Sequence, residues 1–244
     1  MCDCNCNFIK YYGERKKVSK KAIVLLSGGL DSLTTLAIAK NDGFDCYALH
    51  VVYGQRNSSE TIAARNIAKK YDLAEFREIN VDMSWLKSSA LTNHDITIPE
   101  ERSEGIPVTY VPARNTIMMS FAAAWAESLG VSHLFLGVNA VDYSGYPDCR
   151  PEFIDAFKKM VNLGTKAAIE GAPFNIHTPL IGLTKEEIIA KGNNLKVDYS
   201  MSISCYQADR NGYACGKCDS CYLRRQGFEK AGIKDPTPYQ NDLN

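Results

Sequence analysis

Apolar and polar positions alternate along the chain in segments of two kinds. Short apolar or alternating runs predict strands at 22–26, 44–54, 75–81 and 133–138. Longer segments with apolar residues every three or four positions predict helices at 31–42, 58–72, 114–130, 150–164 and 183–192. Between them, 84–112 carries Pro, Gly and Ser and is predicted to be a long loop. The alternation of strands and helices predicts an α/β fold, a doubly wound and mainly parallel sheet with helices on both faces.

Residues at the helix ends support these boundaries. Gly130 is a typical C-cap residue, and Pro151 suits the first position of a helix. Thr184 and Glu187 have the spacing of a capping box, and Ser58 or Ser59 is the expected N-cap of its helix. Because ligands of such sheets bind beyond the carboxyl ends of the strands, functional residues are expected just after each strand.

Charge and cysteine content narrow the class of protein. The 244 residues include 28 Lys and Arg and 28 Asp and Glu, so the basic excess typical of nucleic-acid binding is lacking and no direct nucleic-acid contact is predicted. No apolar run approaches a membrane span, and the first residues lack the apolar region of a signal peptide. Nine cysteines without a signal favour a reducing compartment, the cytoplasm, and metal or thiol chemistry.

The segment Ser27-Gly28-Gly29-Leu30-Asp31-Ser32 joins the first predicted strand to the first predicted helix. Glycines let the backbone approach an anion, and the helix N-terminus favours negative charge, so this turn is predicted to bind phosphate. Ser27 and Ser32 can donate hydroxyl hydrogen bonds. Asp31 would repel phosphate, which makes sense if a Mg²⁺ stands between them. The spacing is neither that of a Walker A loop nor that of a dinucleotide-binding motif.

The turn resembles the PP-loop of the ATP pyrophosphatases, which adenylate an oxygen and release pyrophosphate. The resemblance implies an adenine-nucleotide-hydrolase-like fold and an ATP site formed by Leu26, Ser27, Gly28, Gly29, Leu30, Asp31, Ser32, Leu33, Thr34, Thr35 and Leu36. Arg114, at a predicted helix start, is a candidate phosphate clamp, with a surface arginine as the alternative. Residues 53–60, which follow the second strand, are expected to line the nucleotide site.

Four cysteines near the end of the chain have the spacing C-x9-C-x2-C-x2-C: Cys205, Cys215, Cys218 and Cys221. Four thiolates at such spacings can surround one tetrahedral ion, so one structural Zn²⁺ is predicted. An iron–sulfur cluster and unliganded thiols are the alternatives. Since four cysteines leave no open coordination position, the ion is expected to hold the C-terminal segment rather than to perform chemistry. Cys2, Cys4 and Cys6 lie in a polar N-terminal arm and are given no role.

The stretch 137–153 follows a predicted strand and is dense in polar and aromatic residues. Acids there can accept from ring N–H groups, tyrosines can stack, and an arginine can pair with a carboxylate. This favours a flat polar heterocycle that carries a carboxylate, with a solvated turn as the alternative. The candidate substrate contacts are Asn139, Asp142, Tyr143, Tyr146, Asp148 and Arg150.

Taken together, SGGLDS (27–32), YGQR (53–56), YVPARN (110–115), the 137–153 stretch, the four cysteines and DPTPY (235–239) resemble the 7-cyano-7-deazaguanine synthases. The resemblance runs from about Lys21 to Tyr239; Asn57 stands where that family often has His. It implies a C–N ligase that uses ATP with Mg²⁺, one Zn²⁺ and ammonia to convert 7-carboxy-7-deazaguanine into its nitrile, a precursor of queuosine-type or archaeosine-type bases. It also implies a homodimer. Asp31, Ser32 and Arg114 are then the expected catalytic residues.

Three regions follow from these interpretations: a flexible arm at 1–20, an ATP-binding α/β domain at 21–200 and a zinc-binding segment at 201–244. A PP-loop tRNA thiolase or ligase with an iron–sulfur cluster is a rival interpretation, disfavoured by the neutral charge. A non-enzymatic zinc-ribbon binding module is another, and it leaves the glycine turn without a purpose. The sequence indicates no general base for ammonium.

Overall fold

The computed structural model describes residues 20–56, 58–100, 105–141 and 145–240. Its sheet has five strands in the order β3-β2-β1-β4-β5, and every pairing is parallel. The strands are β1 (Lys20–Leu25), β2 (Phe44–Val52), β3 (Glu75–Asn80), β4 (His133–Phe135) and β5 (Asn175–His177). The predicted parallel α/β fold is therefore confirmed. The fifth strand was not predicted, and β2 and β4 end earlier than expected.

Seven α-helices are present among the described residues. They are α1 (Leu30–Asn41), α2 (Ser59–Lys70), α3 (Arg114–Leu129), α4 (Pro151–Gly164), α5 (Lys166–Ile169), α6 (Lys185–Asn194) and α7 (Asp219–Lys230). The five predicted helices are confirmed, whereas α5 and α7 were not predicted. Gly130 ends α3 with a φ of 64°, and Thr184 and Glu187 form the expected capping box at α6. Described residues 81–113 contain no helix or strand, as expected for a long loop.

Side chains of the central strands alternate between two core layers. Ala22 and Val24 of β1 pack with α1, α2, α6 and α7, whereas Ile23 packs with α3 and α4. Both faces of β1 are thus covered, which explains why its sequence is continuously apolar. In the first of these layers Leu33 is fully buried, and a change to Ala there is expected to cost about 2–5 kcal/mol.

A third buried cluster lies at one end of the sheet, beneath the long loop. It combines Tyr53 and Met83 with Ile203 and the four cysteines. The C-terminal segment also contributes Phe228 of α7 to the layer that contains α1. The cysteine-bearing segment is therefore packed into the cores of the α/β domain.

The strand order creates a crevice at the carboxyl ends of β1 and β4. From β1 the chain adds β2 and β3 on one side and then crosses to place β4 and β5 on the other. Connections that leave β1 and β4 thus diverge to opposite sides, which is where ligands of doubly wound sheets bind. Within the described ranges, no helix combines the length and apolar character needed to cross a bilayer.

Candidate active site

A cavity of about 230 Å³ lies at this crevice. Its walls come from the glycine turn, from residues that follow β2 and β4, from the start of α3 and from 204–206. Tyr53, Gln55 and Glu60 are among the lining residues, so these three residues lie beside the glycine turn. The structure thus brings together segments that the sequence analysis had separately predicted to be functional.

The glycine turn is shaped by a close helix contact. Gly28 has a φ of +95°, and a Cβ there would lie 2.2 Å from the carbonyl oxygen of Glu60 and 2.9 Å from the amide nitrogen of Ala64. Only glycine allows α2 to pack this closely against the turn. Gly29 is the N-cap of α1 and makes no side-chain cap, which leaves the helix N-terminus suited to an anion.

The turn's polar groups bond to one another. The Ser27 hydroxyl donates to the Ser32 hydroxyl at 3.1 Å, and Ser32 donates to the Gly29 carbonyl at 3.0 Å. The amide of Gly28 donates to Ser32 Oγ at 3.3 Å, and that of Gly29 donates to Ser27 Oγ at 3.2 Å. Two hydroxyls and two amides are therefore gathered within one short turn.

Asp31 is held by a lysine that sequence reasoning missed. Lys185 Nζ, at the start of α6, lies 2.8 Å and 2.9 Å from the two carboxylate oxygens of Asp31. The Lys185 side chain is 7% exposed and that of Asp31 is 20% exposed. Asp31 lines the cavity, so a charge-neutralised carboxylate stands beside the proposed phosphate position.

Arg114 places a cation in the same cavity. Its Nη1 donates to the hydroxyl of Tyr53 at 3.2 Å, and its guanidinium carbon lies 5.7 Å from the centre of that ring. Burial raises the pKa of Tyr53, so the phenol stays neutral beside the guanidinium. The residue before it, Ala113, has a left-handed backbone with a φ of 55°, which turns the chain into α3.

Glu60 adds an acid to the cavity wall. It lies in the first turn of α2, and its carboxylate makes no hydrogen bond or ion pair with any residue that the structure describes. Burial raises the pKa of its carboxyl to about 7, and the charge of Arg114 opposes this shift. The sequence had marked only the segment that contains it.

Only some of the predicted substrate contacts in the 137–153 stretch line the cavity. Tyr146 lines the cavity and its hydroxyl lies 2.7 Å from that of Thr109. Asn139 also lines the cavity, but its amide donates to the Leu180 carbonyl at 3.1 Å. Asp142 and Tyr143 lie outside the described residues.

Asp148 and Arg150 do not line the cavity. The Asp148 carboxylate accepts from the amide of Asn115 at 3.1 Å and so supports the start of α3, while Arg150 is exposed at the start of α4. Cys149 does line the cavity, and burial raises the pKa of its thiol to about 11, which keeps it protonated. A nucleophilic use of this cysteine is not supported.

The middle of α1, from Leu33 to Ala39, is buried in the protein interior. Leu33 and Leu36 are fully buried in the core. The Thr34 hydroxyl donates to the Leu30 carbonyl at 2.9 Å and lies 2.8 Å from that of Tyr199, and Thr35 is fully buried. Of the predicted ATP contacts, the cavity is lined by Leu26, Ser27, Gly29, Leu30, Asp31 and Ser32.

The four predicted metal ligands come together. The sulfurs of Cys205, Cys215, Cys218 and Cys221 all lie within 4.8 Å of one another, and those of Cys215 and Cys221 are 3.9 Å apart. A tetrahedral ion with bonds of about 2.3 Å separates its sulfur ligands by about 3.8 Å, so this cluster fits a metal.

Backbone amides support the cluster. The amide of Cys215 donates to Cys205 Sγ at 3.1 Å, and the amides of Lys217 and Cys218 donate to Cys215 Sγ at 3.4 Å. Hydrogen bonds from the other three thiols hold the pKa of Cys215 below its usual value. A thiolate among neighbouring thiols is the form that binds a metal.

The cysteine segment is attached directly to the glycine turn. The amide of Ile203 donates to the Gly28 carbonyl at 3.1 Å, and Ser204 and Tyr206 line the cavity. Asp235 of the DPTPY motif forms an ion pair at 3.1 Å with the buried Arg224 of α7. The segment that carries the first of the four cysteines therefore forms part of one wall of the cavity.

The parallel sheet, the glycine turn at its switch point and the cavity beside it define a doubly wound α/β protein with a ligand-sized crevice at the carboxyl ends of its strands. The family model described as "Queuosine biosynthesis protein QueC" matches residues 21–232, and the chain belongs to this family. A 7-cyano-7-deazaguanine synthase of Aromatoleum aromaticum is 61% identical over 222 residues, which is 91% of this chain and 98% of that protein. Another of Nitrosomonas eutropha is 58% identical over 91% of this chain and 99% of its own length.

A solved structure of NMN synthetase from Francisella tularensis is also similar. It covers 89% of this chain and 79% of its own, with a TM-score of 0.48 and 16% identity.

Proposed function

We propose that this chain is a 7-cyano-7-deazaguanine synthase that converts 7-carboxy-7-deazaguanine, ammonia and ATP into the nitrile. The observation that carries the proposal is the shared cavity at the sheet's switch point, which is lined by Ser27, Gly29 and Ser32 of the glycine turn together with Asp31 and Arg114. Relatives of that name match over nearly their whole length, which supports the same assignment.

The first step makes the substrate carboxylate reactive. A carboxylate would have to expel oxide, which is a very poor leaving group. Attack of a carboxylate oxygen on the α-phosphate of ATP forms an acyl adenylate and releases pyrophosphate. Ser27, Ser32 and the Gly28 and Gly29 amides hold the phosphates, and Arg114 stabilises the charge that develops as pyrophosphate leaves. The cavity holds the carboxylate in line with the α-phosphate.

The second step forms the nitrile through an amide. Ammonia attacks the acyl carbon and AMP leaves with the electrons of the C–O bond. The amide oxygen then attacks the α-phosphate of a second ATP and releases pyrophosphate, and loss of AMP and of both N–H protons leaves the C≡N bond. Adenylation of the carboxylate and adenylation of the amide need the same hydrogen-bond donors for the phosphates, so one glycine turn serves both steps.

Two metals belong to this proposal. Mg²⁺ would neutralise charge on the phosphate oxygens, with Asp31 as its protein ligand. Lys185 balances the negative charge of the Asp31 carboxylate at the end of the turn. Zn²⁺ is the ion that we assign to the four cysteines, because a closed set of four thiolates is typical of structural zinc. We further propose that Asp142, Asp148 and Arg150 lie in the segment that recognises the heterocycle, together with Tyr143 and Tyr146.

The test is a turnover assay on metal-replete protein. Protein, ATP, Mg²⁺, ammonium and 7-carboxy-7-deazaguanine are incubated, and the nitrile is sought by mass spectrometry. Absence of the nitrile would refute the proposed function. Omitting ammonium should leave substrate-dependent exchange of pyrophosphate into ATP, which reports the first adenylation alone.

We also propose a cytoplasmic homodimer that does not bind nucleic acid directly. Light scattering after size-exclusion chromatography measures the assembly. A gel shift with bulk tRNA tests whether the protein binds nucleic acid, and a retarded band would favour a tRNA-modifying enzyme instead.

A further inference from the structure

The cavity contains one acid that the proposed reaction has not yet used. Glu60 lines the same cavity as the glycine turn and Arg114, and no described residue pairs with its carboxylate. Its helix is fixed there, because the Glu60 backbone packs against Gly28. The carboxylate is therefore held beside the reaction site without a structural partner.

The proposed reaction requires such a group. Ammonia is almost entirely ammonium at neutral pH, and ammonium has no lone pair with which to attack the acyl adenylate. A proton acceptor in the cavity must take one proton and then return it to water between turnovers. A group with a pKa near the working pH does both most efficiently.

Other titratable groups that face Glu60 or line this cavity are less suitable, as far as the structure describes them. Asp31 is paired with Lys185, and both ring nitrogens of His50 are engaged, by Leu26 at 2.8 Å and Thr61 at 3.0 Å. Burial lowers the pKa of His50 and raises that of the Cys149 thiol to about 11. The remaining groups are a guanidinium and phenols: Arg114, Tyr53, Tyr146 and Tyr206.

We propose that Glu60 is the general base that converts ammonium into ammonia in this cavity, an assignment that rests on the proposed function. Ammonium gives one proton to the Glu60 carboxylate. The lone pair set free forms the C–N bond while the C–O bond to AMP breaks, its electrons leaving with AMP. The nitrogen then releases one further proton to water, which leaves the neutral amide. Glu60 returns its own proton to water, and a pKa of about 7 makes this return rapid.

The test compares Glu60→Gln with a matched control. Glu186→Gln removes a half-buried glutamate from the same position of a first helical turn, in α6, outside the cavity lining. Three activities are measured for both variants and the wild-type chain. They are ammonium-dependent nitrile formation from pH 6 to 9, substrate-dependent pyrophosphate exchange without ammonium, and reaction with hydroxylamine, which is unprotonated at neutral pH and needs no base.

We expect Glu60→Gln to lose about 100-fold or more of its ammonium-dependent rate at pH 7. The loss should shrink as pH rises, in proportion to free ammonia, whereas pyrophosphate exchange and the hydroxylamine reaction stay near wild type. Glu186→Gln should match the wild-type chain throughout. Glu60→Asp should regain part of the ammonium-dependent rate. The melting temperatures of both Glu60 variants show whether they are folded.

Three results would overturn the role of Glu60 alone. The first is an equal loss of pyrophosphate exchange, which would mean that Glu60 contacts the nucleotide or its metal ion. The second is an equal loss of rate with hydroxylamine and with ammonium, and the third is no loss of rate with either. A wild-type chain without substrate-dependent exchange would instead refute the proposed function and the role of Glu60 together.

Discussion

The buried pair between Lys185 and Asp31 gives a prediction whose size follows from the structure. Lys185→Met removes the ammonium but keeps an unbranched stem, which matters because Gly227 of α7 packs against the Lys185 side chain. The Asp31 carboxylate is then left 20% exposed without its cation. Breaking a fully buried pair costs about 3–5 kcal/mol. Because Asp31 faces the cavity, we expect about 2–3 kcal/mol.

A double-mutant cycle separates this interaction from the packing of the stem. Urea unfolding is measured at pH 7 for the wild-type chain, Lys185→Met, Asp31→Asn and the double variant. The double variant should be more stable than the sum of the single changes predicts, by about 1.5 kcal/mol or more.

An exposed pair of the same length serves as the control. Lys70 and Asp198 are also 2.8 Å apart, but their side chains are 56% and 44% exposed. Lys70→Met is expected to cost less than about 1 kcal/mol. If Lys185→Met costs no more than this control, or if the cycle is additive, burial does not strengthen the Lys185–Asp31 pair and the reasoning is wrong.

Further variants test the four-cysteine cluster, the glycine turn and Glu60. Cys218→Ser should lower bound zinc, measured by elemental analysis, and should lower the melting temperature before it alters nucleotide binding. Gly28→Ala should abolish pyrophosphate exchange, because its Cβ would meet the Glu60 carbonyl at 2.2 Å and the φ of +95° disfavours Ala. Asp31→Ala should remove the Mg²⁺ dependence of exchange together with most of its rate; normal turnover would refute the metal role. Glu60→Gln should be as stable as the wild-type chain below pH 4.5 and more stable above pH 7, by up to about 3 kcal/mol. The reason is that folding raises the pKa of Glu60 from 4.5 to about 7, so the ionised carboxylate destabilises the wild-type fold at high pH. Urea unfolding at pH 5 and 8 measures this difference in stability.

Features encoded by neighbouring residues were predictable from the sequence. The glycine turn, the capping box of α6 and the cysteine spacing each lie within a short segment, and the structure places all three as expected. The parallel sheet followed from the alternation of apolar runs with helical periodicity. Helix α7 was missed because its residues are mostly polar and its first residues overlap the cysteine motif.

Features that depend on distant residues were not predictable. Lys185 reaches Asp31 across 154 positions, and its own segment shows only a helix start. The contact of the Asp148 carboxylate with the amide of Asn115 is a second example, because it is set by how α3 and the 145–150 segment pack. Nothing in the local sequence distinguishes a carboxylate that caps a helix from one that binds a ligand.

The supports of the glycine turn come from late in the chain, and this has a consequence for biosynthesis. The turn is complete early in translation, but the Lys185 ammonium and the Ile203 amide that hold it are added much later. A ribosome-bound fragment that ends before residue 185 carries the whole of SGGLDS and yet lacks the braces that position it. Competence to bind nucleotide should therefore arise in a single late event, once residues 185–206 have left the exit tunnel, and not gradually as the sheet grows.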